Sequence, residues 1–530
     1  MFKKNLFTLS LGLLCLIASH LMGQSNKPLP SNRIIKIDYN KTAGALNTMF
    51  KECIGAGRAN EGLRADWQKQ LTLTNKECGF KYIRMHGLLS DDMGVYKEDA
   101  NGNPCYNYQY IDALYDFLVS IKMKPFVELS FMPTALASGT KTIFWWKGNV
   151  TPPKDYKKWQ DLIKDLTLHF TNRYGAEEVK TWYFEVWNEP NLKGQFWTST
   201  QEEYFKLFDY TSQAIKSVNA QYKVGGPATA GINWVSELID HCTKNAIPLD
   251  FISTHSYGVK QGHLDEFGKA GTILSKDPSS ISGGIVNFHN HMANSPNAKL
   301  ELHYTEWSSS YSPSDPFHDS YQSAAYILDK LKRIGNAANS MSYWVFTDIF
   351  EEAGPRFTTF HGGFGLLNIE GIKKPSYFSY YLLNKLGETE LTNSDSSSYT
   401  TKSATGNIQV LFWNFKNTLP TDSTNDQSYF NQEIPSKPIG NVTIDLANIP
   451  KGKYNLEIYK VGYKVNDPFT SYILMGKPDQ LTQQQVETIK QQNNGLPISS
   501  QPIIIRADGK FTKNIAINEN DVFLVNIVKQ

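Results

Sequence analysis

Hydrophobic and polar positions follow one pattern over most of the chain and another near its C-terminus. From about residue 50 to 385, short apolar stretches alternate with longer amphipathic ones, which is typical of parallel strands joined by crossover helices. Eight strands are predicted, at residues 53–57, 82–86, 125–131, 182–187, 223–226, 251–255, 300–305 and 341–346. Helical periods lie between them at 110–121, 156–174, 202–218 and 321–334. Eight such repeats predict an α/β fold, a closed (β/α)8 TIM barrel.

An open, doubly wound sheet is the main alternative to the barrel. Such a sheet usually carries a glycine-rich phosphate-binding turn after its first strand. Residues 55–60 read Gly-Ala-Gly-Arg-Ala-Asn and lack the third glycine of that turn. The barrel is therefore the preferred interpretation.

The pattern changes after about residue 390. A serine-rich stretch at 394–398 is predicted to be a linker, and strand-like runs follow at 408–413, 442–446, 453–460, 502–506 and 521–528. One polar stretch, 480–492, has a helical character. These features predict an accessory all-β sandwich. The strand-like residues 34–39 precede the barrel, and we expect them to add a strand to that sandwich.

The first residues resemble a secretory signal peptide. Lys3 and Lys4 precede an uncharged, mostly apolar run at 6–18, and small or neutral residues follow up to Gly23. The run is short for a membrane span, although an uncleaved anchor is an alternative. The predicted organisation is a signal peptide at 1–23, an N-terminal strand segment at 24–49, a catalytic barrel at 50–388 and a β-sandwich at 389–530. A cleaved signal predicts a secreted or periplasmic protein without stable membrane insertion.

Charge and cysteine content exclude several classes of protein. Removal of Lys3 and Lys4 from 53 basic residues leaves 51 against 51 acidic ones, so no basic excess favours a nucleic-acid partner. The four remaining cysteines are scattered and form no CxxC pair, which excludes a disulfide scaffold and a cysteine-based zinc site. A single disulfide and buried free thiols both remain open. No HExxH motif occurs, and neither a metal nor a cofactor is predicted.

Two glutamates stand at the ends of predicted barrel strands. Glu189 closes the aromatic strand Trp-Tyr-Phe-Glu-Val-Trp-Asn-Glu-Pro at 182–190, and Pro190 stops that strand. Glu306 closes Leu-Glu-Leu-His-Tyr-Thr-Glu at 300–306. Active sites of TIM barrels lie at the C-terminal ends of the strands, so these two carboxyl groups are expected to face each other across the barrel mouth.

A pair of carboxyl groups in this position suits the hydrolysis of a glycosidic bond. One group attacks the anomeric carbon, while the other protonates the leaving oxygen and then activates water. Aromatic surroundings favour the neutral form of Glu189, as a proton donor requires. Glu185 and Glu301 lie inside the same two strands. We expect them to be structural and to point away from the mouth or towards the helices.

At this point the chain resembles glycoside hydrolase family 39, the β-xylosidase and α-L-iduronidase family. Residues 187–191 and 305–307 look like its acid/base and nucleophile motifs. The stretches 79–93, 125–133 and 253–257 look like its second, third and sixth strand segments, and 343–352 with 360–366 look like its eighth strand and the loop after it. The resemblance spans roughly residues 50 to 385.

The resemblance implies roles for individual residues. Glu189 matches the acid/base and Glu306 the nucleophile, and Asn188 matches the residue that binds the sugar 2-hydroxyl group. The other implied substrate-binding residues are Arg84, His86, His255, Tyr257, Trp344, Glu351 and Glu352. Among these, Arg84 and Tyr257 would contact the nucleophile, and an arginine beside a carboxylate keeps it ionised.

The resemblance favours a retaining, exo-acting, β-xylosidase-like enzyme whose partner is a glycoside or oligosaccharide. A uronide substrate would need a cation near its carboxylate. Glu351 and Glu352 disfavour that reading, whereas Arg356 keeps it open. An α-L-iduronide or arabinoside is therefore an alternative substrate. A carbohydrate-binding protein without turnover is the alternative from another class. The sequence leaves the oligomeric state open.

Overall fold

The computed structural model of the protein describes residues 33–264, 270–420 and 429–530. The predicted signal peptide at 1–23 lies outside these ranges, as do residues 24–32 of the predicted N-terminal segment.

Eight parallel strands close into a barrel in the order in which they occur along the chain. They are, from first to eighth, Cys53–Arg58, Tyr82–His86, Lys124–Leu129, Tyr183–Val186, Lys223–Ala230, Phe251–Tyr257, Glu301–Ser308 and Ser340–Tyr343. The ring closes where Tyr343 of the eighth strand lies opposite Ile54 of the first. The predicted TIM barrel is confirmed, and the open-sheet alternative is excluded.

The barrel interior is aromatic at its base and polar towards its mouth. Alternate residues of each strand point inward, so positions two apart stack above one another. At the base, the ring of Phe126 lies 4.9 Å from that of Tyr183 and 5.5 Å from that of Phe251, between ring centroids. Arg84 and Glu185 lie in the next layer, and both are fully buried. Arg84 is two residues beyond the start of the second strand, and Glu185 is two residues beyond Tyr183 on the fourth. The polar layer therefore rests on a packed aromatic floor.

Amphipathic helices surround the barrel. The helices between residues 50 and 388 are Ala65–Cys78, Gln109–Ser120, Tyr156–Tyr174, Ala176–Val179, Gln201–Val218, Val235–Asn245, Ser282–Ala293, Gln322–Ile334 and Pro375–Leu383. The helix Tyr156–Tyr174 begins at Asp155, whose side chain accepts hydrogen bonds from the backbone of Lys157 and Lys158. Its buried face includes Trp159, Leu162, Ile163, Leu166 and Phe170, at the spacing of one helix face.

The accessory part consists of two β-sheets with a shared apolar core. The larger, antiparallel sheet contains, in spatial order, Thr42–Ala45, Thr389–Leu391, Ser398–Lys402, Ile408–Trp413, Val522–Lys529, Gly452–Val461 and Ser499–Ile505. The smaller sheet contains Arg33–Asp38, Pro438–Ala447 and Phe511–Asn518. Isoleucines, valines and leucines from both sheets pack into one core, as in a sandwich. Two helices, Pro468–Leu474 and Gln483–Gln492, accompany the sheets.

Some details of this part differ from the sequence expectations. The stretch 394–398, predicted to be a linker, lies in the turn between two strands of the larger sheet and ends at Ser398, the first residue of the second of them. The strand Phe511–Asn518 and the helix Pro468–Leu474 were not predicted. As expected, the N-terminal strand joins the accessory part: Arg33–Asp38 pairs in parallel with Pro438–Ala447, so chain segments from both sides of the barrel meet in the smaller sheet.

Two further findings bear on the earlier expectations. Within the described residues, no helix has the length and apolar character needed to cross a membrane. Cys53, Cys78, Cys105 and Cys242 are free thiols, and all except Cys105 are buried.

Candidate active site

Arg84 is the centre of the polar layer at the barrel mouth. Its Nη1 lies 2.7 Å from Oε1 of Glu306, its Nε 2.5 Å from Glu185, and its Nη2 2.8 Å from Glu128. Nη2 also donates to Oδ1 of Asn188 at 2.9 Å. Burial opposes the charge on Arg84, but the three carboxylates outweigh that effect and raise its pKa above the ordinary value. The side chain is therefore a permanent cation that three strands share.

Glu306 is held from two sides. Oε1 accepts from Arg84, and Oε2 accepts from the hydroxyl group of Tyr257 at 2.7 Å. The seventh strand bulges against the sixth, because its register shifts between the partners of Tyr304 and Glu306. A bulge of this kind re-aims neighbouring side chains. It lets Thr305 reach Glu185 at 2.8 Å while the next residue, Glu306, reaches the mouth.

Glu189 occupies a different environment from Glu306. It follows the fourth strand with a backbone φ of +43°, a left-handed conformation that non-glycine residues seldom adopt outside functional sites. Its backbone N–H donates to the carbonyl oxygen of Ala228, which anchors this conformation. Burial raises the pKa of its carboxyl group to about 7, although the charges of His86 and Arg84 act in the opposite direction. At neutral pH a large fraction of Glu189 thus carries a proton.

His255 lies between the two carboxyl groups. Its Nδ1 shares a hydrogen bond of 2.8 Å with Oε1 of Glu189 and lies 3.5 Å from Oε2 of Glu306. Burial lowers the pKa of His255 to about 4, so its ring is neutral at pH 7. The ligand-type atoms of these three residues lie within 4.8 Å of one another, a spacing that could also hold a metal ion. The two carboxyl groups are therefore close enough to act on one atom of a substrate.

His86 connects the mouth to the third and eighth strands. Its Nδ1 lies 2.7 Å from Oε2 of Glu128, and its Nε2 lies 3.6 Å from Glu306 and 3.7 Å from Glu352. Burial opposes ionisation of Glu128, yet Arg84 and His86 outweigh it and lower the pKa of this carboxyl group. An ionised Glu128 thus fixes the orientation of the His86 ring, with Nε2 towards the mouth.

Trp344 forms a wall beside His86. Their ring centroids are 4.7 Å apart, and the guanidinium carbon of Arg84 lies 5.7 Å from the Trp344 ring. Gly55 of the first strand permits this position, because a Cβ atom there would lie 2.5 Å from the indole ring. The glycine at the start of the weak phosphate-turn match is thus explained by close packing against Trp344.

The structure separates the two neighbouring acids of the eighth-strand loop. Glu352 lines the central cavity, whereas Glu351 does not appear among the described lining residues. The oxygens of Glu351 instead contact Arg58 at 2.8 Å and Arg64 at 3.0 Å. Burial, followed by the charges of Glu306 and other nearby glutamates, raises the pKa of Glu352 well above its ordinary value. Burial thus favours the neutral form of Glu352, and Glu351 lies outside the described lining of the cavity.

The predicted residues otherwise gather around one cavity of about 710 Å³. Its lining includes His86, Asn188, Glu189, His255, Tyr257, Glu306, Trp344 and Glu352. Arg84 lies beneath this lining and is fully buried. The individual roles of these residues remain predictions, but their positions are mutually consistent.

Sequence reasoning missed two members of the polar layer. Glu128 received no role, and Glu185 was expected to point away from the mouth or towards the helices. Glu185 instead points into the barrel and contacts Arg84 and Thr305. The alternation of side chains along a strand could have revealed both residues as inward-pointing. Glu185 lies two residues beyond the inward Tyr183, and Glu128 lies two beyond the inward Phe126. Glu301, by contrast, lies at the base with Tyr183 and Lys223, as a structural residue would.

A TIM barrel with two glutamates close together at the ends of its fourth and seventh strands is typical of carbohydrate-hydrolysing enzymes. Comparison with known proteins identifies the family within this class. The sequence profile of glycosyl hydrolases family 39 matches residues 33–512, and the chain belongs to glycoside hydrolase family 39.

Individual relatives agree with this assignment. A β-xylosidase from Caldicellulosiruptor saccharolyticus is 42% identical over 464 residues, covering 86% of this chain and 90% of the relative. A β-xylosidase from Geobacillus stearothermophilus is 38% identical, covering 90% and 92%. The crystal structure of a family 39 enzyme from Xanthomonas axonopodis pv. citri superposes with a TM-score of 0.92 at 39% identity, covering 96% of this chain and all of that one. The protein is a family 39 glycosidase similar to β-xylosidases.

Proposed function

We propose that this glycosidase is a retaining, exo-acting enzyme that removes xylose units from β-xylosides, with Glu306 as nucleophile and Glu189 as acid/base. The observation that carries the proposal is the contrast between two neighbouring carboxyl groups. Glu306 contacts the cation Arg84, whereas burial favours the protonated form of Glu189. One oxygen of each carboxyl group lies within 4.8 Å of the other, and such close approach favours the roughly 5–5.5 Å carboxyl spacing of retaining enzymes over the wider inverting one.

The reaction follows in two displacements. An oxygen of Glu306 attacks the anomeric carbon while the bond to the leaving oxygen breaks, and Glu189 transfers its proton to that oxygen. A covalent glycosyl ester on Glu306 results. Glu189, now a carboxylate, then takes a proton from water as the water oxygen attacks the anomeric carbon. The ester bond breaks, Glu306 regains its charge, and Glu189 is protonated again.

Neighbouring residues support this sequence of steps. Oδ1 of Asn188 accepts from Arg84, so the amide is oriented with Nδ2 as the donor for a sugar hydroxyl group. Buried Trp344 and Phe364 close the cavity on the side of the eighth strand, which favours the terminal unit of a glycan over an internal one.

The cavity favours a neutral sugar over a uronide. No lysine or arginine occurs among the described residues that line it. Burial favours the neutral form of Glu352, which suits hydrogen bonds with sugar hydroxyl groups and supplies no cation for a carboxylate. Arg356, which keeps the uronide alternative open, directs Nη2 towards the carbonyl oxygen of Pro313 at 3.4 Å, and its charge acts on Glu352. An arabinoside, also a neutral pentoside, is the nearest alternative substrate.

Two measurements test the proposal. A screen of nitrophenyl xyloside, arabinoside, glucoside, galactoside and iduronide should give the highest kcat/KM for the β-xyloside. Highest activity on the iduronide would contradict the proposed sugar. Proton NMR of the first product should show the β-anomer, since two inversions retain configuration. Initial release of the α-anomer would exclude double displacement.

We also propose that the chain is exported, on the basis of Lys3, Lys4 and the apolar run after them. N-terminal sequencing of the protein from its native cells should give a start near residue 24. A protein that retains Met1 in the soluble cytoplasmic fraction would contradict export.

A further inference from the structure

The cavity has two ends with different chemistry. The sugar end lies beside the second and eighth strands and carries His86, Trp344 and Glu352. The outer end lies beyond Glu189, towards the fifth and sixth strands. It is lined chiefly by Leu192, Phe196, Ile232, Val259, Ile285 and Tyr311. These six residues define the outer end.

The outer end is assembled from several separate elements. Leu192 and Phe196 belong to the loop that follows Glu189, and Ile232 to the loop after the fifth strand. Ile285 belongs to the helix Ser282–Ala293 and Tyr311 to the loop after the seventh strand. Tyr311 is 48% exposed and Leu192 and Ile232 are partly exposed, so an apolar surface faces the cavity.

Among the described lining residues, the ionisable side chains lie at the sugar end and the centre of the cavity. Among the described residues at the outer end, none is charged, and the polar side chains are Gln195, Ser256 and the hydroxyl group of Tyr311. A second sugar placed there would remove several hydroxyl groups from water with few partners for them, which is unfavourable. An aromatic or alkyl group would instead bury apolar surface, which is favourable.

The position of Glu189 decides which part of the substrate occupies this end. A general acid must contact the oxygen of the leaving group, so the leaving group extends from Glu189 away from the sugar. The loop that begins at Glu189 itself supplies Leu192 and Phe196. The outer end is therefore where the leaving group lies if Glu189 is the acid.

We propose that the outer end is a binding site for an aromatic or otherwise apolar leaving group, so that the enzyme prefers aryl and arylalkyl glycosides to oligosaccharides. This inference rests on the proposed role of Glu189. The proposed occupant is an apolar group joined to the sugar through an oxygen atom. The test must distinguish this occupant from a second sugar.

The test compares two substrates that release alcohols of similar acidity. Benzyl β-xyloside and xylobiose both depend on protonation by Glu189, so their ratio of kcat/KM reports binding at the outer end rather than leaving-group activation. We expect the ratio to favour benzyl β-xyloside by about tenfold or more, since one well-placed apolar contact is worth that much. Equal values, or a preference for xylobiose, would overturn the proposal.

Two variants locate the effect. Ile232→Asn and Leu192→Asn should each lower the benzyl-to-xylobiose ratio about tenfold. The matched control is Ile504→Asn, in the accessory sheet, where the side chain is 73% exposed and the ratio should stay as in the wild type. If Ile232→Asn does not fold, the Leu192→Asn variant alone tests the proposed binding site. An unchanged ratio in a folded Leu192→Asn variant would overturn the proposed site.

The proposed function can fail independently of this inference. If the enzyme hydrolyses neither xyloside but acts on another sugar, the proposed sugar is wrong. The benzyl glycoside and the disaccharide of that other sugar are then compared in the same way. Hydrolysis of both xylosides without a preference for the benzyl group would leave the function intact and overturn the inference.

Discussion

One carboxyl oxygen of Glu306 lies within 4.8 Å of one of Glu189, yet the protein surrounds the two residues differently. Glu306 contacts a permanent cation, Arg84, and the hydroxyl group of Tyr257. Glu189 is desolvated, shares its hydrogen bond with a neutral histidine, and has a pKa of about 7. One environment stabilises a negative charge and the other disfavours it.

The contrast shows how one pair of identical side chains can serve two chemical roles. A nucleophile must be ionised, whereas an acid must hold its proton at the working pH. The asymmetry is built by the second strand, because Arg84 reaches across the barrel to Glu306 while Glu189 lies outside its hydrogen-bond contacts. Variants that remove either side of the contrast should therefore have different effects.

Loss of the nucleophile should have the largest effect. Glu306→Ala removes the atom that forms the covalent intermediate, and we expect kcat to fall on the order of 10⁴-fold or more for every glycoside. Circular dichroism and thermal unfolding should show a folded protein. The matched control is Glu237→Ala on an exposed helix position, which should keep full activity. Near-normal turnover by Glu306→Ala would refute the nucleophile assignment.

Loss of the shared cation should rank next. Arg84→Met leaves Glu128, Glu185 and Glu306 buried without their common partner, and breaking a buried ion pair costs about 3–5 kcal/mol of unfolding free energy. Turnover should fall roughly 10³-fold, because Glu306 loses both its position and its counter-charge. Denaturant unfolding and kcat/KM measure the two effects.

The exposed Arg173 provides the control for that experiment. It pairs with Asp116 on the protein surface, where the two side chains are 39% and 47% exposed, so Arg173→Met should change stability and turnover little. If Arg84→Met were as stable and active as this control, the asymmetry between the two glutamates would need another origin.

Much of this arrangement could be predicted from the sequence, since it depends on long periodic elements. The eight strands have regular apolar runs, and both glutamates follow such runs directly. The accessory strand Phe511–Asn518 was missed because its polar residues, such as Lys513 and Asn514, mask a pattern in which Ile515 and Ile517 are the buried members. Pairing with a distant strand stabilises this segment, and local propensity does not reveal such partners.

The fine geometry of the site could not be predicted, because it depends on single-residue irregularities. The bulge at Thr305 brings two consecutive side chains to the barrel interior, whereas a regular strand would bring only one. The exclusion of Glu351 from the cavity depends on Arg58 and Arg64, which lie almost 300 positions earlier in the chain. Such long-range ion pairs leave no trace in the local pattern.

Loss of the acid should have an effect that depends on the substrate, which distinguishes the role of Glu189 from that of Glu306. Glu189→Ala should lower kcat/KM roughly 10²–10⁴-fold for xylobiose, whose leaving group needs a proton. The loss should be much smaller for dinitrophenyl xyloside, whose leaving group departs unaided. Azide should restore turnover and give a glycosyl azide product. Equal losses on both substrates, with no azide product, would remove Glu189 as the acid/base.

The smallest effect concerns pH and requires no change of structure. Only the protonated form of Glu189 can donate, and its pKa is about 7, so kcat/KM for xylobiose should fall as pH rises through about 7. The sign is fixed, because raising the pH removes the proton that the leaving oxygen needs. Glu189→Gln keeps the shape of the side chain but cannot titrate, so this decline should disappear from its residual hydrolysis of xylobiose. The wild type assayed with dinitrophenyl xyloside provides the control, since its glycosylation step depends little on the acid and should show little decline. A decline near pH 7 that persists in Glu189→Gln would mean that another group titrates there, and the contrast between the two glutamates would no longer explain how the enzyme protonates its leaving group.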